Sequence, residues 1–147
     1  MQGTEVEQID HVHVHVTDRE MAAEWYCAVL GLRRDEALAG WAADPDGPLM
    51  LSSAAGRTCL ALFRDASAGN RSAAGRTIAF RVGGAGFMAF LSAVPELDLA
   101  DGERRVTGAG DVVDHELAWS VYFCDPDGNR IEVTCYDYDF VARRLAG

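Results

Sequence analysis

The sequence predicts an α+β fold made of two β-α-β-β-β modules. Three observations carry that prediction. A strict two-residue alternation opens the chain at Ile9–Val16, a similar strand recurs at Thr77–Val82, and a hairpin near the end is built on Asp125-Pro126-Asp127-Gly128. The first two stand at an offset of 66 residues (77 − 11), and the helix after each keeps its spacing. Val12, Val14, Val16, Met21 and Trp25 of the first copy match Ile78, Phe80, Val82, Phe87 and Leu91 of the second. Gly56–Leu60 and Gly128–Glu132 pair as the two last strands. Neither half alone can close a sheet around its apolar face.

The elements follow in order. In Ile9–Val16 the valines at 12, 14 and 16 face a core, and His11, His13 and His15 face the other way. Asp18 is a candidate cap for a helix from Arg19 to Leu30, with Met21, Ala22, Trp25, Ala28 and Val29 at helical spacing. Gly31 ends it. Strands are predicted at about Leu32–Leu38, Leu49–Ser53 and Thr58–Phe63, with a turn at Asp44-Pro45-Asp46-Gly47. Ala66–Gly75 is small and polar and reads as a linker. Module one thus spans about residues 8–65, and module two about 76–136. After strand Thr77–Val82 comes a helix from Gly84 to about Val94, closed by Pro95. A weak strand lies between Glu96 and Gly110, a short one at Val112–Glu116, and then the hairpin. In that hairpin Ile131, Val133 and Cys135 share one face, and Arg130, Glu132, Thr134 and Tyr136 share the other. The tail, 137–147, reads as a short helix.

Composition narrows the function classes. An apolar content of 49% excludes general disorder. No apolar run approaches the roughly 20 residues of a membrane span, and the polar, acidic start shows no signal peptide. A net charge of −10 argues against nucleic acid and anionic membranes as partners, and is compatible with a cationic ligand. Cys27, Cys59, Cys124 and Cys135 are widely spaced and form no C-x-x-C, which points to a reducing cytoplasm and no structural zinc.

Two stretches draw chemical attention. Three histidines at i, i+2 and i+4 argue against an ordinary core role, although a plain exposed face also accounts for them. A His-x-His pair can bind one metal ion from adjacent same-face positions. Glu132 sits mid-strand among apolar neighbours. Such a carboxylate is solvated, paired or metal-bound, because an isolated buried charge is too costly. Gly83-Gly84-Ala85-Gly86 lacks a Walker lysine and the dinucleotide spacing, so it reads as a turn.

The pieces Ile9-Asp10-His11-Val12, Trp25-Tyr26 with Leu30-Gly31-Leu32, Thr77-Ile78-Ala79-Phe80, and Tyr122 through Glu132 resemble the vicinal oxygen chelate superfamily. That group holds glyoxalases, fosfomycin-resistance enzymes, extradiol dioxygenases and bleomycin-resistance proteins. The resemblance runs from about Ile9 to Tyr136. It implies a single domain, residues 1–147, whose mixed sheet curls around a U-shaped cleft, with metal ligands on the first and last strand of each module. Those positions fall here on His11, Leu60, Thr77 and Glu132. His11 and Glu132 match the family's ligand types, Thr77 stands where many members carry a second His, and Leu60 cannot ligate.

The same resemblance implies that His13 lies deeper in the cleft and touches substrate, with Thr77 leaving its position to substrate or water. His115, in Asp114-His115-Glu116, resembles a His that approaches substrate in extradiol dioxygenases, and it is the candidate acid or base. Ser120 and Tyr122 share a face that the resemblance points into the cleft, Tyr122 as a catalytic phenol and Ser120 as a substrate contact. The implied cofactor is a divalent ion (Fe, Mn, Ni or Zn), and the implied assembly a homodimer acting on a small oxygen-chelating molecule. Lyase, isomerase and ring-cleaving dioxygenase chemistry all fit. The rival is a metal-free binding protein of the bleomycin-resistance type.

Overall fold

The computed structural model describes residues 3–70 and 75–147. Residues 71–74 of the predicted linker, and the first two residues of the polar start, lie outside the described residues. The chain divides into two compact units, Met1–Arg71 and Ser72–Gly147.

The first unit runs β1 (Val12–Val16), α1 (Arg19–Leu30), β2 (Arg33–Arg34), a 3-10 helix (Glu36–Ala43), β3 (Leu49–Ser52), β4 (Thr58–Arg64) and a 3-10 turn at Ala68–Asn70. Its sheet order is β1-β4-β3-β2, with β1 parallel to β4 and the other pairs antiparallel. This is the predicted β-α-β-β-β pattern. Asp18 caps α1 by accepting from the backbone N–H groups of Glu20 and Met21, and Gly31 closes it at φ +65°.

Two details of α1 differ from expectation. Its buried stripe is Ala22, Ala23, Tyr26 and Val29, while Met21 is 68% exposed and Trp25 lies edge-on to Tyr26 at 5.0 Å. Two apolar stripes one residue apart compete here, and the one that buries the Tyr26 ring prevails. β1 also starts at Val12 and not Ile9; Val14 and Val16 are buried, but Val12 is 37% exposed.

The predicted strand at Leu32–Leu38 shrinks to Arg33–Arg34. Asp35 turns the chain there. Its carboxylate accepts from the hydroxyls of Ser52 (2.8 Å) and Thr58 (2.7 Å), which pins the corner to β3 and β4. Those two bonds hold its carboxyl below the usual range. The Arg19 guanidinium then donates to the carbonyls of Ala42, Asp44 and Gly47, clamping the loop that holds the predicted Asp-Pro-Asp-Gly turn.

The second unit runs β5 (Thr77–Arg81), α2 (Gly84–Leu97), β6 (Ala100–Asp101), β7 (Arg104–Arg105), β8 (Val113–Asp114), β9 (Trp119–Cys124), β10 (Arg130–Cys135) and α3 (Tyr138–Ala146). The sheet order β5-β10-β9-β6 repeats β1-β4-β3-β2, extended by β7 and by β8 on β9. Pro95 does not close α2, which continues to Leu97 and ends on Asp98 at φ +51°. The stripe Phe87, Leu91, Val94 stays buried through that turn, which offsets the one hydrogen bond a proline removes. The core beneath the sheet is Phe87, Val121, Phe123, Ile131 and Val133, each at most 1% exposed.

The Asp125-Pro126-Asp127-Gly128 turn is stitched by one side chain. Asp125 accepts from the backbone N–H of Asp127 (2.9 Å) and of Asn129 (2.8 Å), and Gly128 takes φ +84°. The turn fixes the register Glu132↔Tyr122 and Thr134↔Ser120, so all four side chains share one face of the sheet.

Register also corrects one equivalence. Val12 pairs with Leu60 and Ile78 with Ile131. Leu60 therefore matches Ile131, and Ala61 matches Glu132. Leu60 is 1% exposed and lies on the core face with Val14 and Leu62. A slip of one residue moves a side chain to the opposite face, so the position equivalent to Glu132 on β4 is Ala61 and not Leu60.

Candidate functional site

In the second unit, four predicted site residues meet on one sheet face. Ser120 is fully buried, and its hydroxyl donates to Glu132 Oε1 at 2.7 Å and lies 3.0 Å from Thr134 Oγ1. Tyr122 sits directly across from Glu132. Its Oη shares a 3.0 Å hydrogen bond with His115 Nε2. Burial, then the charge of Glu132 and a hydrogen bond to it, push the Tyr122 phenol above its ordinary value. Tyr122 is thus kept neutral at physiological pH, next to an imidazole and a carboxylate.

His115 owes its place to the β8–β9 turn. Its N–H donates to the carbonyl of Ala118, and Glu116 adopts φ +67°, rare for a non-glycine residue. Asp114 holds that turn by accepting from Glu116 N–H at 2.7 Å. The Tyr138 hydroxyl at the start of α3 lies 2.9 and 2.8 Å from its two carboxylate oxygens. Tyr138 in turn stacks on Trp119, whose Nε1–H donates to the Tyr138 carbonyl.

Thr77 lies one row away, opposite Arg130. The Arg130 guanidinium stands 3.5 Å from the Thr77 hydroxyl, covers the Tyr122 ring at 4.5 Å and is tied to Asp101. The sequence marked Arg130 only as a neighbour of Glu132 on the strand. Its role in shielding Tyr122 depends on Asp101, which arrives from a strand too weak to read.

In the first unit, the alternation of β1 places His13 and His15 on one exposed face, and His11, the residue before the strand, is exposed as well. His11 Nδ1 is 2.7 Å from Asp10 Oδ2, and its Nε2 is 3.3 Å from His13 Nε2. Phe63, from the neighbouring strand, packs on His13 at 4.6 Å and on His15 at 6.3 Å. His15 pairs with Asp65 at 3.5 Å.

Among the described residues, no group of three or more His, Cys, Asp or Glu side chains converges as a metal site. Taken one by one, an imidazole and a carboxylate are donor types that a divalent ion accepts. His11 offers Nε2 with its other nitrogen held by a carboxylate, the arrangement that orients ligating imidazoles. Glu132 offers a carboxylate whose Oε1 accepts from Ser120. A separate cavity of about 720 Å³, lined by Gly83, Gly84, Tyr136, Asp137 and Phe140 among others, contains none of the predicted site residues. No helix among the described residues is long and apolar enough to cross a membrane, and the four cysteines are free thiols.

A family sequence profile, described as Glyoxalase/Bleomycin resistance protein/Dioxygenase superfamily, matches residues 8–133. The chain belongs to that superfamily. Solved structures agree with this glyoxalase-superfamily fold. Oxidase ChaP-H1 is 25% identical, with TM-score 0.63, over 90% of this chain and 98% of its own. A glyoxalase/dioxygenase from Nostoc punctiforme is 19% identical, with TM-score 0.63, over 92% and 98%. The fosfomycin resistance protein FosX from Listeria monocytogenes is 10% identical, with TM-score 0.64, over 93% and 99%. A search of curated proteins gave no match.

Proposed function

We propose that this superfamily member is a divalent-metal-dependent enzyme acting on a small substrate with two adjacent oxygens, as a lyase, an isomerase or a ring-cleaving dioxygenase. The reading treats residues 1–147 as one domain, assembled as a homodimer in the cytoplasm. The observation that carries it is the His115–Tyr122 hydrogen bond beside Glu132, an acid–base pair set against a carboxylate. An oxidase and a fosfomycin resistance protein share the fold.

In this reading His11 and Glu132 hold the ion. When bound, it supplies Lewis-acid stabilisation of a substrate oxyanion. His115 Nε2 takes and returns the substrate proton. Tyr122, kept neutral, donates a hydrogen bond to the developing oxyanion. Ser120 fixes the Glu132 carboxylate, and Thr77 faces the substrate.

A second reading, a metal-free protein that sequesters a small molecule, is favoured by one observation: a guanidinium stands beside Thr77, where many relatives carry histidine. Metal analysis of protein purified without chelator separates the two. The enzyme reading expects bound metal, and a raised melting midpoint with at least one of Mn(II), Fe(II), Ni(II) and Zn(II). Metal-free protein whose midpoint none of the four raises would leave the sequestration reading.

A further inference from the structure

We infer that His13 is a metal ligand alongside His11, the two forming an imidazole chelate at the start of β1 that takes the place of the histidine missing at Thr77. The inference draws on the metal reading for the ion but not on Glu132. Three observations within the first unit carry it. First, the two Nε2 atoms are 3.3 Å apart. Two nitrogens each about 2.0–2.1 Å from one tetrahedral ion are separated by about 3.3 Å, so an ion can replace the shared hydrogen with little movement of either ring.

Second, Asp10 Oδ2 at 2.7 Å from His11 Nδ1 fixes the tautomer that turns Nε2 toward His13. Third, His13 projects from the exposed face of a strand whose alternate residues Val14 and Val16 are buried, and His11 is the residue just before that strand, so the backbone carrying the pair runs into an anchored element. At the quasi-equivalent position of the second unit, Thr77 meets the cationic Arg130, which disfavours a cation there. His15 shares the face of His13 but is drawn to Asp65 at the far end of the strand.

Imidazole pairs favour Ni(II), Cu(II) and Zn(II) over Mn(II). The test is calorimetric titration of Ni(II) into the full chain, with one equivalent of Cu(II) read by electron paramagnetic resonance. His13→Gln should weaken Ni(II) at least tenfold and remove one nitrogen from the Cu(II) spectrum. His15→Ala should change neither. His13 is exposed, so its variant should melt like the wild type, and a matched midpoint confirms that it has folded. Loss in His13→Gln supports the chelate whether or not Glu132→Gln also weakens binding, and no loss in Glu132→Gln removes the shared centre. Loss in Glu132→Gln with none in His13→Gln overturns the chelate and leaves the shared centre standing. An unchanged nitrogen count in His13→Gln also overturns it.

Discussion

Ser120→Ala tests whether Glu132 is held or merely exposed. Ser120 is fully buried, 2.7 Å from Glu132 Oε1 and 3.0 Å from Thr134 Oγ1. Removing the hydroxyl deletes a hydrogen bond to a charged acceptor, about 1.5–3 kcal/mol. Glu132 is half-buried, so water recovers part of that. Thr134, 7% exposed, then loses a partner in a buried place, at a cost of about 1–3 kcal/mol. The net expectation is about 2–3 kcal/mol of destabilisation, which for a chain of this length lowers the melting midpoint by about 4–10 °C. Urea unfolding at pH 7 measures it. A double-mutant cycle with Thr134→Val should show coupling above about 0.5 kcal/mol, because the two hydroxyls act together. A Ser120→Ala variant within about 0.5 kcal/mol of wild type would show that Glu132 is not held by this bond.

Tyr122 ionises above its ordinary value because of burial and Glu132; Glu132→Gln should lower that value, visible as an earlier tyrosinate absorbance rise. Because the folded phenol is raised, its contribution to stability is complete below about pH 10 and is lost as pH rises through the folded value, so between neutral and alkaline pH wild type should lose more stability than Glu132→Gln does. Identical alkaline titrations would remove Glu132 from the Tyr122 environment. Thr77→His should strengthen metal binding by restoring the third ligand type; unchanged affinity would count against a metal centre that reaches position 77. Light scattering at tens of micromolar should return a dimer mass, and a monomer mass would count against the assembly.

The alternation and the duplication made the two modules legible, because a two-residue period and a helical period are local signals. The same period grouped Ser120 with Tyr122 and Glu132 with Arg130 and Thr134, and the β9–β10 register joins the two groups on one face. The Leu60 assignment failed because two short motifs can be aligned in two registers, and only the pairing of β1 with β4 decides between them. Asp35, Arg19 and Tyr138 were not legible. Each works through a contact that crosses the sequence, to Thr58, to Gly47 or to Asp114, and no periodicity encodes such a contact. The helix stripe through Tyr26 was misjudged because adjacent apolar stripes differ only in what the sheet offers them.

The proposal of a metal centre at His11 and Glu132 is tested most directly by titrating Mn(II) and Ni(II) calorimetrically into wild type and Glu132→Gln. The substitution keeps the shape of the side chain and its acceptor toward Ser120 while removing the charge. The account predicts saturable one-site binding in wild type and at least a tenfold loss in the variant. Equal affinity in both proteins, or no binding in either, would contradict it.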